Sequence, residues 1–390
     1  MEIISTKRIE SIDLLKGLVM VIMALDHVRD YFHYPAFFFS PTDPEHSTLP
    51  IFFTRFITNF CAPAFSFLAG LSAFMVGRRK GRNELSRFLL KRGLWLVFVE
   101  LVIAEFAWHF DIYFRDNVFQ VIWVLGISMI ILAALIHLPG RYLLPLSCII
   151  ILGHNLLDPV HFNNSVLWSF IHERKQYDIT PAYHIVIAYP IIPWFAVMSL
   201  GYCFGSFYDK SFDPDRRRKM LNLAGFACLV VFLVLRITNI YGNLLPWRSY
   251  GHFSQTLISF LSVTKYPPSL DFLLITLGSS FLFLAYFENA KGRIVDFFCV
   301  FGRVPFFYYI IHIFIIHLAA LLMAQLTGFG WQKMILTTMP SRAVALRGFG
   351  YNLITVYLIW IALIAILYPI CRRFDRYKQN NKGRWWLSYF

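Results

Sequence analysis

Residues 8–32 read RIESIDLLKGLVMVIMALDHVRDYF. The stretch is apolar enough to enter a bilayer, yet it carries Asp13, Lys16, Asp26, His27, Arg29 and Asp30. An α-helix turns about 100° per residue, which puts Lys16 and His27 within roughly 20° of one another on one face. In the same projection Asp13 lies about 40° from His27 and Asp30 about 60°. Along the axis, Lys16 and His27 are separated by about 16 Å at 1.5 Å per residue. Each ionisable group inside a membrane costs at least ~2.5–3.5 kcal/mol, so such a stripe implies partners or a water-lined cavity. Two readings follow: a packing network within the bundle, or a general base near the far end of a path that begins at Lys16 in the cytoplasm. The alignment of the whole set favours the second.

The rest of the chain places this helix in a membrane. Of 390 residues, 58% are hydrophobic and only 15% charged, and the mean hydropathy is +0.58. A soluble multi-domain protein does not have this balance, and apolar runs recur from end to end. They fall near 9–31, 50–76, 93–110, 118–137, 142–156, 185–207, 220–240, 268–287, 301–325 and 351–371. The expectation is an all-α polytopic protein of about ten transmembrane helices. Residues 1–371 form one domain on this reading, and 372–390 a basic, Trp-containing tail at the cytoplasmic membrane interface.

With the N-terminus inside, the cytoplasmic segments hold 23 Lys and Arg residues and the external ones 8. That bias predicts both termini in the cytoplasm. It also accounts for the formal charge of +14 without nucleic acid. Lys7 and Arg8 ahead of an apolar stretch superficially resemble a signal peptide. The stretch is too long and too charged for one, and it is expected to be retained as the first span. Three long external loops, near 157–184, 241–267 and 326–350, are rich in aromatic, Pro, His and Asn residues, as loops that cap a site are.

Other polar residues are candidates of lower rank. Glu105 and His109 share a helix face, most simply as a satisfied pair. His154, Asn155 and Asp158 close the fifth apolar run, either binding a polar ligand or capping the helix. Pro190 and Pro193 should bend the sixth, where Gly201 and Gly205 permit close packing. Arg303 stands at a cytoplasmic helix mouth, where a phosphate would arrive. His312 and His317, five apart, do not share a face and make no metal site by themselves. The six cysteines form no CxxC pair, so neither a disulfide framework nor a zinc site is indicated. P-loop, GxGxxG, GxSxG and HExxH motifs are all missing. This argues against nucleotide hydrolysis, a Rossmann cofactor, a serine hydrolase and a zinc protease.

Several of these stretches together resemble the membrane acyltransferases related to heparan-α-glucosaminide N-acetyltransferase, in their bacterial branch. They are the opening helix, RFITNFCAPAFSFLAGLSAF, GHNLLD, YPIIPWFAVMSLGYCFG, TKYPPSL, FGRVPFFYYIIH and LYPICRRFDRYK. The wider transmembrane acyltransferase group carries Arg, ten residues, then His in its first helix. Lys16 and His27 have that spacing, with Lys in place of Arg and therefore without the bidentate fork. The eukaryotic enzyme's proposed catalytic histidine falls near Phe38 here, with His33 the closest histidine, so the role given to His27 rests on the wider group.

The resemblance implies transfer of an acetyl group from cytoplasmic acetyl-CoA to an amine or hydroxyl of an extracytoplasmic sugar or glycan. It implies an integral protein of the cell membrane, the inner one in a bacterium, with no metal. On it, His27 is the general base with Asp26 or Asp30 as its orienter, and Lys16, Arg303, Asp13 and Trp194 are candidates for the acyl-CoA site. An acetyl-histidine route and direct transfer both stay open, as does assembly as a homodimer. The rival readings are a transporter that uses the charged helix for substrate or protons, and a scaffold whose polar residues only hold helices together.

Overall fold

The computed structural model describes residues 9–163 and 165–389; Lys7 and Arg8 lie outside the described residues. Helix α1 runs unbroken over Glu10–Phe32, so Asp30 is still helical. After the loop that follows come α2 (Leu49–Phe56) and α3 (Cys61–Gly77), joined by a tighter 3-10 turn so that they act as one long rod. A four-residue turn leads to α4 (Arg82–Phe98). The chain then continues through a π-helical turn at Val99–Ala104 into α5 (Glu105–His109). The third apolar run was expected to begin at 93, after a basic loop. Helix instead starts at Arg82, because RNELSRFLLKR contains no breaker and buries Leu85 and Leu89.

Next come strand β1 (Asp116–Phe119), α6 (Val121–Leu135), α7 (Gly140–Gly153) and the short α8 (Val166–Ile171). Strands β2 (Lys175–Thr180) and β3 (Tyr183–Ile187) complete a three-stranded sheet in the order β1-β3-β2. The fold is mostly helical as expected, with this sheet as an addition. Apolar residues 185–187 were assigned to the sixth helix, but with Tyr183 and His184 they form β3, whose β-branched residues pair with β1 in parallel register from Asp116 opposite His184 to Phe119 opposite Ile187. Pro190 and Pro193 then hold the helix back until α9 begins at Trp194 and runs to Phe204.

The second half contains α10 (Pro214–Thr238), α11 (Phe253–Leu261) and α12 (Leu270–Tyr286). Helices α13 (Arg293–Arg303) and α14 (Pro305–Leu326) follow; the span expected over 301–325 is α14 with only the end of α13, and the two part at Val304 ahead of Pro305. The last, α15 (Leu353–Asn380), carries the chain beyond residue 371 without a break. Five stretches among the described residues are long and apolar enough to cross a membrane: Leu49–Gly77, Gly140–Leu157, Pro214–Thr238, Pro305–Leu326 and Leu353–Asn380.

Four helix pairs dominate the packing: α1 with α13, α3 with α9, α4 with α6, and α10 with α12. Each is closed by facing glycines. A Cβ on Gly17 would lie 1.8 Å from the Phe298 carbonyl oxygen, and one on Gly302 1.9 Å from that of Asp13. Gly70 faces Met198, and Gly201 faces Phe67, at 1.8 and 1.9 Å. Gly93 with Gly126 and Gly225 with Gly278 repeat the arrangement in the other two pairs. Apolar side chains gain little by meeting each other rather than lipid tails, so close backbone contact supplies much of the attraction between helices. Helix α1 also packs on α3, α14 and α15, and it forms the centre of the bundle.

Candidate active site

Two cavities flank α1. The wider, about 750 Å³, is lined by Asp26, His27, Arg29 and Asp30 at one end of the helix, together with Arg55 and Trp108. The narrower, about 270 Å³, opens beside Lys16 and is lined by apolar groups such as Met20, Leu89 and Leu96. Met23, Phe65, Val121 and Tyr309 line both cavities and form the wall between them.

In the wide cavity, His27 does not turn to an aspartate. Its Nδ1 lies 2.7 Å from Nε2 of His312 on α14. The two rings stack at 4.9 Å, and the Trp108 indole stands edge-on to His27 at 4.7 Å. The far nitrogen of His312, Nδ1, is 3.0 Å from the Tyr308 carbonyl oxygen. A carbonyl only accepts, so Nδ1 of His312 carries the proton and its Nε2, in the neutral ring, accepts. Nδ1 of His27 is therefore the donor in the pair. That leaves Nε2 of His27 with its lone pair and no hydrogen bond among the described residues, on a half-buried side chain at the cavity wall.

The acidic candidates are engaged elsewhere. Asp26 accepts from Arg55 and pairs with Arg29 at 2.9 Å, while Asp30 pairs with the same arginine at 2.7 Å. His27 thus has His312 as its orienting partner, in the position expected for Asp26 or Asp30. His33, the nearest histidine to the eukaryotic position, is buried beyond the end of α1.

At the other end, Lys16 Nζ donates to Ser72 Oγ at 2.8 Å. Arg303 reaches Asp375 at 3.5 Å, and its carbonyl accepts from Lys378 at 3.3 Å. Lys16, Arg92, Arg303 and Lys378 all line the narrow cavity, giving it a cationic rim over an apolar interior. Asp13 and Trp194 lie apart from both. Asp13 is buried on α1 where α13 crosses, and Trp194 is buried at the start of α9 with its ring 5.5 Å from Tyr189. Neither lines either of these two cavities; Asp13 nonetheless sits one turn from Lys16 on α1, with its carbonyl against Gly302 next to Arg303, whereas Trp194 stands on a different helix.

The remaining polar candidates brace the frame. Glu105 pairs with His109 at 2.8 Å and accepts the Val118 amide at 3.1 Å, fastening β1 to α5. Glu100 accepts the Trp123 amide at the start of α6. His154 bridges the Ile151 and Pro268 carbonyls, and Asn155 accepts the Leu270 amide, tying the end of α7 to the start of α12. Arg236 spends its guanidinium on the carbonyls of Leu245, Ser259, Phe260 and Ser262. It thereby fixes the loop between α10 and α12 that roofs the wide cavity.

No cluster of three or more His, Cys, Asp or Glu side chains suited to a metal occurs among the described residues. The profile of the family described as heparan-alpha-glucosaminide N-acetyltransferase, catalytic, matches residues 8–241, more than half of the chain. No curated protein matches.

Proposed function

Because the chain belongs to the heparan-α-glucosaminide N-acetyltransferase catalytic family, we propose that it transfers an acetyl group from acetyl-CoA to an amine or hydroxyl of an extracytoplasmic sugar or glycan. The protein is an integral membrane acetyltransferase by family and by its apolar helices. On the proposed topology there are about ten crossings, both termini are cytoplasmic and the narrow cavity faces the cytoplasm. The count of 23 Lys and Arg residues against 8 supports this sidedness.

The narrow cavity suits the donor. Acetyl-CoA carries several phosphate charges on one end and a long thin arm on the other. Lys16, Arg92, Arg303 and Lys378 are placed to hold the phosphates, and the apolar interior to take the arm. The acceptor occupies the wide cavity. Nε2 of His27 takes the proton from the attacking nitrogen or oxygen as that atom bonds to the acetyl carbon. The carbon–sulfur bond breaks, and the proton held on His27 passes to the released thiolate, which gives free CoA and returns His27 to its neutral form. His312 acts as a positioning residue: its Nε2 keeps the His27 proton on Nδ1, away from the reacting side. An acetyl-histidine route would use the same His27 nitrogen.

The observation that carries this reading is the chain from the Tyr308 carbonyl through His312 to His27. It leaves one lone pair at a cavity that shares a wall with a cation-rimmed apolar one. The test is thiol release from acetyl-CoA by purified full-length protein offered amino sugars. His27→Ala should cut the rate by ~10²–10⁴-fold and leave CoA affinity, measured by calorimetry, close to that of the parent. Full rate in an intact His27→Ala preparation would end the assignment.

A further inference from the structure

The charges of the wide cavity do not balance. Six cationic side chains line it, Arg29, Arg55, Arg174, Lys265, Arg342 and Arg347, against only two acids, Asp26 and Asp30. The two acids are taken up by Arg29 and Arg55. The other four cations have no carboxylate partner among the described residues. Arg174 lies 5.1 Å over the Tyr266 ring and Lys265 5.3 Å from the same ring. Arg347 stands 5.4 Å over Phe38 and donates to the Phe37 carbonyl at 3.3 Å, and Arg342 donates to Gln176 at 3.3 Å.

Lys265 also sits on a braced support. The Lys265 turn is closed by Ser269 N to Thr264 O at 2.9 Å and by Thr264 N to Asn243 Oδ1 at 2.8 Å. His154 holds Pro268 in the same turn at 2.7 Å. Unpaired like charges on a fixed frame repel one another unless a ligand supplies the counter-charge. The phenol of Tyr266 registers the same field: burial opposes its ionisation, but Lys265 and Arg55 outweigh burial and bring its pKa down to about 8.

We propose that the acceptor is phosphorylated, and that Arg174, Lys265, Arg342 and Arg347 hold its phosphate in the cavity lined by His27. A carboxylate or sulfate ester brings one negative charge. A phosphomonoester brings about −1.5 to −2 and three strong acceptor oxygens, which suits several cations, three of them forked guanidinium groups. The inference rests on the acetyl-acceptor reading of this cavity, but the experiment separates the two.

The probes are glucosamine, glucosamine 6-sulfate and glucosamine 6-phosphate, titrated into full-length protein in detergent by calorimetry, which needs no turnover. Glucosamine 6-phosphate should bind at least about tenfold more tightly than either other sugar, since each charge-assisted contact contributes about ten- to hundredfold. Arg174→Gln/Arg342→Gln should erase that preference; Arg342→Gln alone, on an exposed loop residue, should reduce it where the double variant folds poorly. A second arm asks whether the phosphate is carried by a lipid. Displacement of glucosamine 6-phosphate by phosphatidic acid in phosphatidylcholine nanodiscs supports a lipid-linked phosphate, and its failure to displace supports a water-soluble one. Equal affinity for sulfate and phosphate, or a preference that survives the double variant, would overturn the proposal even if thiol release from acetyl-CoA is brisk. A phosphate preference without thiol release from any sugar would keep this anion site and remove the acetyltransferase reading.

Discussion

His27 owes its accepting nitrogen to a contact 285 residues away, the pair with His312. The Lys16–His27 stripe is plain in one sequence because helical geometry alone generates it. The His27–His312 pair is not, because nothing local to α1 states which side chain of α14 will face it. Asp26 and Asp30 lie next to His27 in sequence and on geometry are natural orienters, but Arg29 and Arg55 claim them. Of these, Arg29–Asp26 is an i, i+3 pair that could have been read as satisfied from the start. Tyr266 supplies a prediction at this scale. Its phenol, brought down to about 8, is neutral below that pH and anionic above it. The anion would cancel charge among the cations around it. KM for glucosamine 6-phosphate should therefore rise several-fold as pH passes upward through 8. The Tyr266→Phe variant should lack that rise. Steady-state thiol release at fixed ionic strength checks it.

Helices were legible where apolar runs were bounded by charge or proline, as for α10 and α15. Two elements were misjudged for identifiable reasons. The basic segment before residue 93 continues α4 backward, because surface charge does not break a helix whose other face buries Leu85 and Leu89. Residues 185–187 belong to the sheet and not to the sixth helix, because a short apolar run does not by periodicity distinguish strand from helix, and its partner β1 is distant in sequence. The glycine contacts were partly visible at Gly201, but their reciprocity emerges only in three dimensions. Gly17→Ala would place a Cβ 1.8 Å from the Phe298 carbonyl. Overpacking of this kind costs ~1–3 kcal/mol or more, so thermal unfolding in detergent should begin several degrees earlier. Gly81→Ala, with nothing within 4 Å, should leave the transition where it is.

For the whole molecule, the proposed sidedness fixes where the reactants come from. Single cysteines at Gly81 and Lys219 should react with an impermeant maleimide only from the cytoplasm, and those at Asn163 and Asn243 only from outside. External labelling at position 81 would invert the arrangement and put the narrow cavity on the wrong face for acetyl-CoA. The wall of Met23, Phe65, Val121 and Tyr309 then has an electrical meaning. A continuous water column from Lys16 to His27 would short-circuit the membrane, where each charge crossing 100 mV exchanges about 2.3 kcal/mol. Three apolar side chains and a phenol make that wall an insulator, and the acetyl group proposed to pass it is small and carries no formal charge. On the proposed arrangement, the phosphates of the donor stay on one side and the cations of the wide cavity on the other. On the proposed reaction the His27 proton returns to the thiolate, so acetyl transfer across such a wall moves no net charge, and its rate should be indifferent to the membrane voltage, unlike that of a proton-coupled carrier.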